Sequence, residues 1–369
     1  MKILMVTDKY LPNVGGVINT IREISENLVG TGNEVTIVCF GNQNKTDFIN
    51  GVKIFFIKSQ LSKYFLGLSF PILVKINSII KEENPDIVHI HGYHTLLSLS
   101  ALIPLKTGIN IVFSPHYHKV GHTPLNNLLH HGYKYIGYVL FKKSRIIFTG
   151  SHYEKELVTT NFPNFQRKVV LVPLGVKKII ISEKKQTNLD RKRINLLFIG
   201  NLMEYKGIQY IIKSLSYLIK KGYCPHLTII GNGSYKSDLV SLIEVENVGS
   251  NINFFEKLSD HEIELKMLDS DMLLLLSKAE AYGLVVAESL GLGTPTIVSN
   301  ANALKEFTEI PGCFGIDIPP RIDDLADLII NTFNYSGPVG PADKTKIRTW
   351  DEVASNYFFI YERIKFGAR

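Results

Sequence analysis

The amino-acid sequence predicts an α/β protein built from two doubly wound domains, each a parallel sheet covered by helices on both faces. Three observations predict it. Short β-branched runs recur along the chain, helical patterns lie between them, and the alternation stops and restarts near the middle. The length of 369 residues also exceeds what one ordinary core holds.

In the first half KILMVT (2–7), EVTIVCF (34–40), VKIFFI (52–57), DIVHIHG (86–92), NIVFSP (110–115) and RIIFTGS (145–151) read as strands. They are apolar nearly throughout rather than alternating, as strands buried on both faces must be. INTIREISENLV (18–29) and PILVKINSIIKEE (71–83) place apolar residues at helical spacing between them. After VVLVPLGV (169–176) the charged, unpatterned SEKKQTNLDRKR (182–193) reads as a linker. The second half repeats the scheme with NLLFIGNL (195–202), HLTIIGNG (226–233), NINFFEK (251–257), DMLLLLS (271–277) and TPTIVS (294–299). TWDEVASNYFFIYERIKF (349–366) closes the sequence as an amphipathic helix with Thr349 or Asp351 near its start. Two such domains would put a ligand cleft between the C-terminal edges of their sheets.

Composition is globular, 45% hydrophobic and 20% charged, and no apolar run reaches the roughly 18 residues that span a bilayer. The N-terminus, MKILMVTDKY, reads as a buried first strand and not as a signal peptide. Cys39, Cys224 and Cys313 are scattered, odd in number and in no CxxC spacing, so reduced thiols and a cytoplasmic location are expected. The net charge of +7 falls on the first half: residues 1–175 hold 18 Lys+Arg against 10 Asp+Glu, the remainder 23 against 24. Such a half can face an anionic substrate or an anionic membrane. Its lysines do not cluster with interleaved aromatics as a nucleic-acid face would, so no nucleic-acid partner is expected.

The segment KAEAYGLVVAESLGLGTPTIVS (278–299) keeps two carboxylates, Glu280 and Glu288, among small and apolar residues. A helix starting near Tyr282–Leu284 puts Glu280 before its N-terminus and Glu288 more than a turn inside it. The free amides at that end, with the positive end of the helix dipole, suit a diphosphate. The carboxylates would then take polyols at either end of it. Capping by Glu280 and a solvated Glu288 is the structural alternative.

E-A-Y-G-L-x-x-x-E-S-L-G-x-G-T-P-T-I-V resembles the E-x7-E signature of the retaining family 4 glycosyltransferases, whose fold is GT-B. LPNVGGV (11–17), VHIHG (88–92), FSPHYH (113–118), VPLGV (172–176) and GNLMEYKG (200–207) resemble further segments of that family, in the same order. The resemblance implies an N-terminal acceptor-binding domain over 1–175, a nucleotide-sugar-binding domain over 176–349, and a final helix, 350–369, packing back on the first. It implies Lys206 and Asn201, with Gly15, Gly16, Gly283 and Leu284, at the donor diphosphate, and His116, Glu280 and Tyr282 at the donor sugar. Glu288, Leu258 and Gly231 fall to the nucleotide, and Asp8 and His118 to the acceptor. Lys206, Glu280 and His116 would carry catalysis. Structural readings stand beside these: a solvated Lys206, a turn-capping Asp8, and packing roles for His89 and His91.

The implied activity is transfer of a hexose from GDP-mannose or a UDP-hexose to a glycan or lipid-linked acceptor, with retention and without an essential metal or cofactor. Where the family carries arginine in G-R-L this chain has Asn201; Ala301 and Ala303 replace small glycines, and Glu256 stands at a position commonly glycine. These departures keep a non-catalytic binding subunit as the alternative. LDSDM (268–272) contains D-x-D but marks a helix end entering a buried strand, where capping accounts for it. LNNLLHHGYKYIGYVLFKKSR (125–145) is aromatic and basic and suggests contact with an anionic bilayer, or packing against its own sheet. A nicotinamide-binding reading fails for want of a strand followed by G-x-G-x-x-G.

Overall fold

A computed structural model of the chain describes residues 1–13, 15–58, 70–93, 96–102, 108–117, 137–177, 179, 182–183, 192–340 and 347–367. It divides into two compact units, Met1–Gly175 with Trp350–Arg369, and Val176–Thr349.

The first unit holds an eight-stranded sheet. Its strands are β1 (Lys2–Val6), β2 (Glu34–Gly41), β3 (Lys45–Ile49), β4 (Val52–Lys58), β5 (Ile87–His91), β6 (Asn110–Ser114), β7 (Ile146–Thr149) and β8 (Val169–Leu171), in spatial order β3-β4-β2-β1-β5-β6-β7-β8. All pairs are parallel except β3–β4, which is antiparallel. Leu4, Val38, Val88, Ile90, Phe113 and Ile147 make its core. Helices α1 (Gly16–Gly30), α2 (Phe70–Glu83), α3 (Leu96–Leu102), α4 (137–143) and α5 (His152–Asn161) connect the strands.

The second unit has β11 (Arg193–Ile199), β12 (Cys224–Ile230), β13 (Ile252–Phe255), β14 (Met272–Leu275), β15 (Thr296–Ser299) and β16 (Cys313–Ile316), all parallel, in the order β13-β12-β11-β14-β15-β16. Helices α6 (Ile208–Lys220), α7 (Lys236–Glu246), α8 (Asp260–Leu268), α9 (Leu284–Gly291) and α10 (Ile322–Phe333) cover it. Two short pairs complete the strands: β9 (Gly175–Val176) with β18 (Arg348–Thr349), and β10 (Ser182–Glu183) with β17 (Pro338–Val339). The segment read as a linker therefore begins with a strand, β10; its residues 184–191 lie outside the described ones.

Helix α11 (Trp350–Phe366) belongs to the first unit. Tyr357 lies 4.4 Å from Phe148 between ring centroids, and the Tyr361 hydroxyl meets His89 Nδ1 at 2.6 Å, both in the buried interior. In each sheet the order reverses beside the first strand, between β1 and β5 and between β11 and β14. Loops leaving the C-terminal ends of strands on either side of such a switch point form the natural ligand crevice.

Candidate functional site at two sheet switch points

In the second unit the switch-point loops are tied to each other. After β11 the chain makes a one-turn 3-10 helix, Glu204–Lys206, and turns at Gly207 with φ 77. A Cβ at Gly207 would stand 2.2 Å from the Leu276 carbonyl oxygen, so only glycine lets this loop lie against the end of β14. Lys278, in the loop after β14, donates its amide to the Tyr205 carbonyl at 2.7 Å. The buried Ser299 hydroxyl donates to the Ser277 carbonyl at 2.6 Å, and Asn302 Nδ2 to that of Lys278 at 2.6 Å, so β15 and the loop following it brace the same turn.

The product of this bracing is an ion pair between Lys206 Nζ and the Glu280 carboxylate, each side chain only 15% exposed. The ammonium also lies 5.4 Å from the Tyr205 ring centroid. Beyond Glu280, Tyr282 is buried with its ring edge-on to Phe307 at 5.3 Å, and burial pushes its phenol well above the ordinary range. Gly283 caps α9 in the left-handed region, and Leu284 is the first helical residue. In the first turn of α9 the Val286 amide donates to the Gly283 carbonyl at 2.9 Å, while the amides of Leu284 and Val285 precede the regular helical ladder, as at any helix start. Glu288 follows within the helix, half-buried.

The other residues of this unit sit at the ends of neighbouring strands. Asn201 is exposed just past β11, its carbonyl accepting the Met203 amide at 2.9 Å. Gly231, just past β12, approaches so closely that a Cβ would stand 2.0 Å from the Gly200 oxygen, a packing reason for glycine there. Leu258 is half-buried beyond β13, and Glu256 pairs with Lys236 at 2.7 Å on the surface. Of the D-x-D pair, Asp269 is the C-cap of α8, while buried Asp271 accepts the Asn195 amide at 2.8 Å. Among the described residues no three His, Cys, Asp or Glu side chains gather as metal ligands.

In the first unit Asp8 follows β1, half-buried, its carboxyl raised by burial against the pull of Lys9. Gly15 and Gly16 open α1, and a Cβ added at either would meet nothing within 4 Å. His116 follows β6, half-buried, with φ 47. Its Nε2 lies 3.3 Å from His91 Nδ1 and the two rings stack at 5.6 Å. His91 in turn lies 3.9 Å from His89, whose Nε2 meets Ser114 Oγ at 2.8 Å. Burial, reinforced by the neighbouring imidazoles, holds His89 and His91 well below the usual histidine range, so both are neutral at neutral pH. His118 and the 125–136 part of the aromatic, basic segment lie outside the described residues.

The structure thus unites Lys206 with Glu280, and His116 with His91. A residue that sequence reasoning passed over is Glu154, whose carboxylate accepts the amide following His116 at 2.7 Å. The only signal was Ser151-x-x-Glu154, which reads as an ordinary helix cap.

Comparison with known proteins gives both units a family. The family described as glycosyltransferase family 4 matches residues 14–178, and glycosyl transferases group 1 matches residues 180–334. A GDP-mannose-dependent alpha-(1-6)-phosphatidylinositol dimannoside mannosyltransferase of Mycobacterium tuberculosis is 23% identical over 378 residues, covering 96% of this chain and 94% of that protein. Among solved structures, sucrose-phosphate synthase of Thermosynechococcus elongatus has a TM-score of 0.77 at 16% identity, with all of both chains covered. Anabaena HepE, solved with UDP-glucose, has a TM-score of 0.68 at 15% identity, covering 100% of this chain and 99% of that one.

Proposed function

The chain belongs to the glycosyl transferases group 1, an enzyme family of GT-B fold, and from that premise we propose that it moves a hexose from a nucleotide-diphosphate sugar to a glycan or lipid-linked acceptor, retaining anomeric configuration. The observation that carries this reading is the Lys206–Glu280 pair at the switch point of the second unit. One member suits a phosphate oxygen, the other sugar hydroxyls, and they stand side by side at the end of a sheet.

In this reading Lys206 and the first-turn amides of α9, around Gly283 and Leu284, take the donor diphosphate. The lysine stabilises the negative charge that grows as the nucleoside diphosphate leaves. Glu280, Tyr282 and His116 orient the transferred sugar, and Glu288 takes the ribose hydroxyls. Gly15 and Gly16 leave room for phosphate to approach their amides, which fits their open surroundings. A donor phosphate oxygen assists removal of the acceptor's proton on the face from which the nucleotide departs. The reaction then needs no dedicated protein base and no metal. GDP-mannose and UDP-hexoses both remain donors of this class; the relatives named above use one or bind the other.

The test is thermal-shift screening against GDP, UDP, ADP and their sugar conjugates, repeated with Lys206→Ala and Glu288→Ala. A ligand of the folded state raises the melting temperature by mass action. One nucleotide should stabilise the protein, and both substitutions should remove the effect; no stabilisation by any of them sinks the reading.

For the acceptor, we propose peripheral contact of the first unit with an anionic membrane. Its excess of basic residues and the exposed Tyr138, Val139, Lys142 and Lys143 of α4 support this. No helix among the described residues is long and apolar enough to cross a bilayer. Flotation with anionic liposomes at low salt should carry the protein upward, and its absence from the lipid fraction contradicts the proposal.

A further inference from the structure

His116 is the first-unit residue on which the donor-sugar reading leans, yet its backbone is one that a histidine adopts reluctantly. Its φ of 47 lies in the left-handed region, where any residue with a Cβ is strained unless its surroundings hold it. A specific grip is present. The amide of Tyr117, the next residue, donates to Glu154 Oε1 at 2.7 Å, while Oε2 accepts the Gly150 amide at 2.7 Å. The Glu154 side chain therefore joins the turn after β6 to the turn after β7, and those strands are neighbours. Its own start is fixed as well, because Ser151 Oγ accepts the Glu154 amide at 3.0 Å.

The choice of glutamate is costly. Glu154 is 3% exposed and has no ion-pair partner among the described residues. A buried carboxylate without a cation pays a desolvation penalty that a serine or asparagine cap avoids. Burial pushes this carboxyl up to about 7, against the opposing pull of the two amides. The titratable groups around it are Tyr357 on α11, whose phenol Glu154 helps to raise, and Tyr117 and His116 in the turn itself. Nor does it form a capping box, in which it would return to the Ser151 amide; it reaches to Gly150 and across to Tyr117 instead.

We propose that Glu154 is a positioning residue for His116: its carboxylate clamps the amides of Tyr117 and Gly150 and so holds the left-handed turn that sets the imidazole. His91 also contacts the ring, Nδ1 to Nε2 at 3.3 Å. The inference that the clamp serves catalysis rests on the reading of His116 as a donor-sugar residue; the clamp itself does not. On protonation one carboxyl oxygen becomes a donor and can no longer accept an amide, so one side of the clamp opens as pH falls through neutrality.

The experiment follows the Tyr117 amide by NMR in the isotope-labelled full chain, wild type and Glu154→Gln. Glutamine retains one acceptor and turns a donor toward the other amide. The wild-type resonance should shift with an inflection near neutrality, absent in the variant, and amide exchange at Tyr117 should quicken at least about tenfold in the variant. In parallel, nucleoside diphosphate release from UDP-glucose and GDP-mannose should fall in kcat by about tenfold in Glu154→Gln with donor KM nearly unchanged. In a His116→Ala background the same substitution should cost nothing further. Unchanged exchange in a folded Glu154→Gln protein, or a kcat loss of equal size with and without His116, overturns the proposal. If the variant does not fold, a wild-type Tyr117 resonance that ignores pH overturns it. A His116→Ala protein that releases nucleotide like wild type refutes the role of His116, while the exchange measurement still judges the clamp.

Discussion

Replacing Gly207 with alanine tests the seating of the Lys206 loop directly. The residue has φ 77, and an added Cβ would lie 2.2 Å from the Leu276 oxygen and 2.8 Å from its carbonyl carbon and Cβ. The obstacle is backbone at the end of a central strand, so it cannot swing aside. The left-handed conformation costs alanine roughly 1–2 kcal/mol, and forcing the overlap adds about 1–3 kcal/mol. At about 2–4 °C per kcal/mol for a unit of this size, the melting transition of the second unit should drop by roughly 4–20 °C. The matched control is Gly222→Ala in the same unit: φ is 84, but nothing lies within 4 Å of the added carbon. It carries only the conformational cost, a drop of roughly 2–8 °C by the same conversion. Calorimetry on both variants, with nucleotide-induced stabilisation measured on each, reads out the difference. Equal shifts would refute the close approach and, with it, the account of how Lys206 is brought to Glu280.

Three further outcomes are expected. A thiol reagent should label Cys224 alone in the native protein and all three cysteines in denaturant, because Cys39 and Cys313 are buried and burial pushes both thiols up to about 12; labelling of Cys39 at the rate of Cys224 contradicts the packing. Tyr361→Phe leaves His89 Nδ1 buried without its 2.6 Å partner and should destabilise the first unit by about 1–3 kcal/mol in a denaturant titration. Nucleoside diphosphate release should persist after EDTA treatment, since Asp271 is committed to the Asn195 amide; loss restored by added divalent cation reverses the metal-independent proposal.

The parallel strands were legible because burial on both faces leaves an unbroken apolar run; KILMVT and DMLLLLS sit within a residue or two of Lys2–Val6 and Met272–Leu275. Two strands of the large sheets carried no such mark. β3, KTDFI, is a largely exposed antiparallel edge, and β16, CFGI, is interrupted by glycine. At the site, Lys206 and Glu280 each stood out by motif, but their pairing across 74 positions follows from strand order alone. Glu154 was invisible for a different reason. Ser151-x-x-Glu154 names a local cap, whereas the partner that matters, Tyr117, lies 37 positions away on another strand's loop.

The placement of α11 sets an order on synthesis. The second unit is one continuous stretch, Val176–Thr349, so every residue of its core leaves the ribosome before Trp350 does. The first unit, made earlier, must wait with His89 and Phe148 unroofed until Tyr357 and Tyr361 arrive. The half translated first is therefore the half whose interior is finished last, and a nascent chain stalled within the second unit would expose the interior of the first to chaperones and proteases.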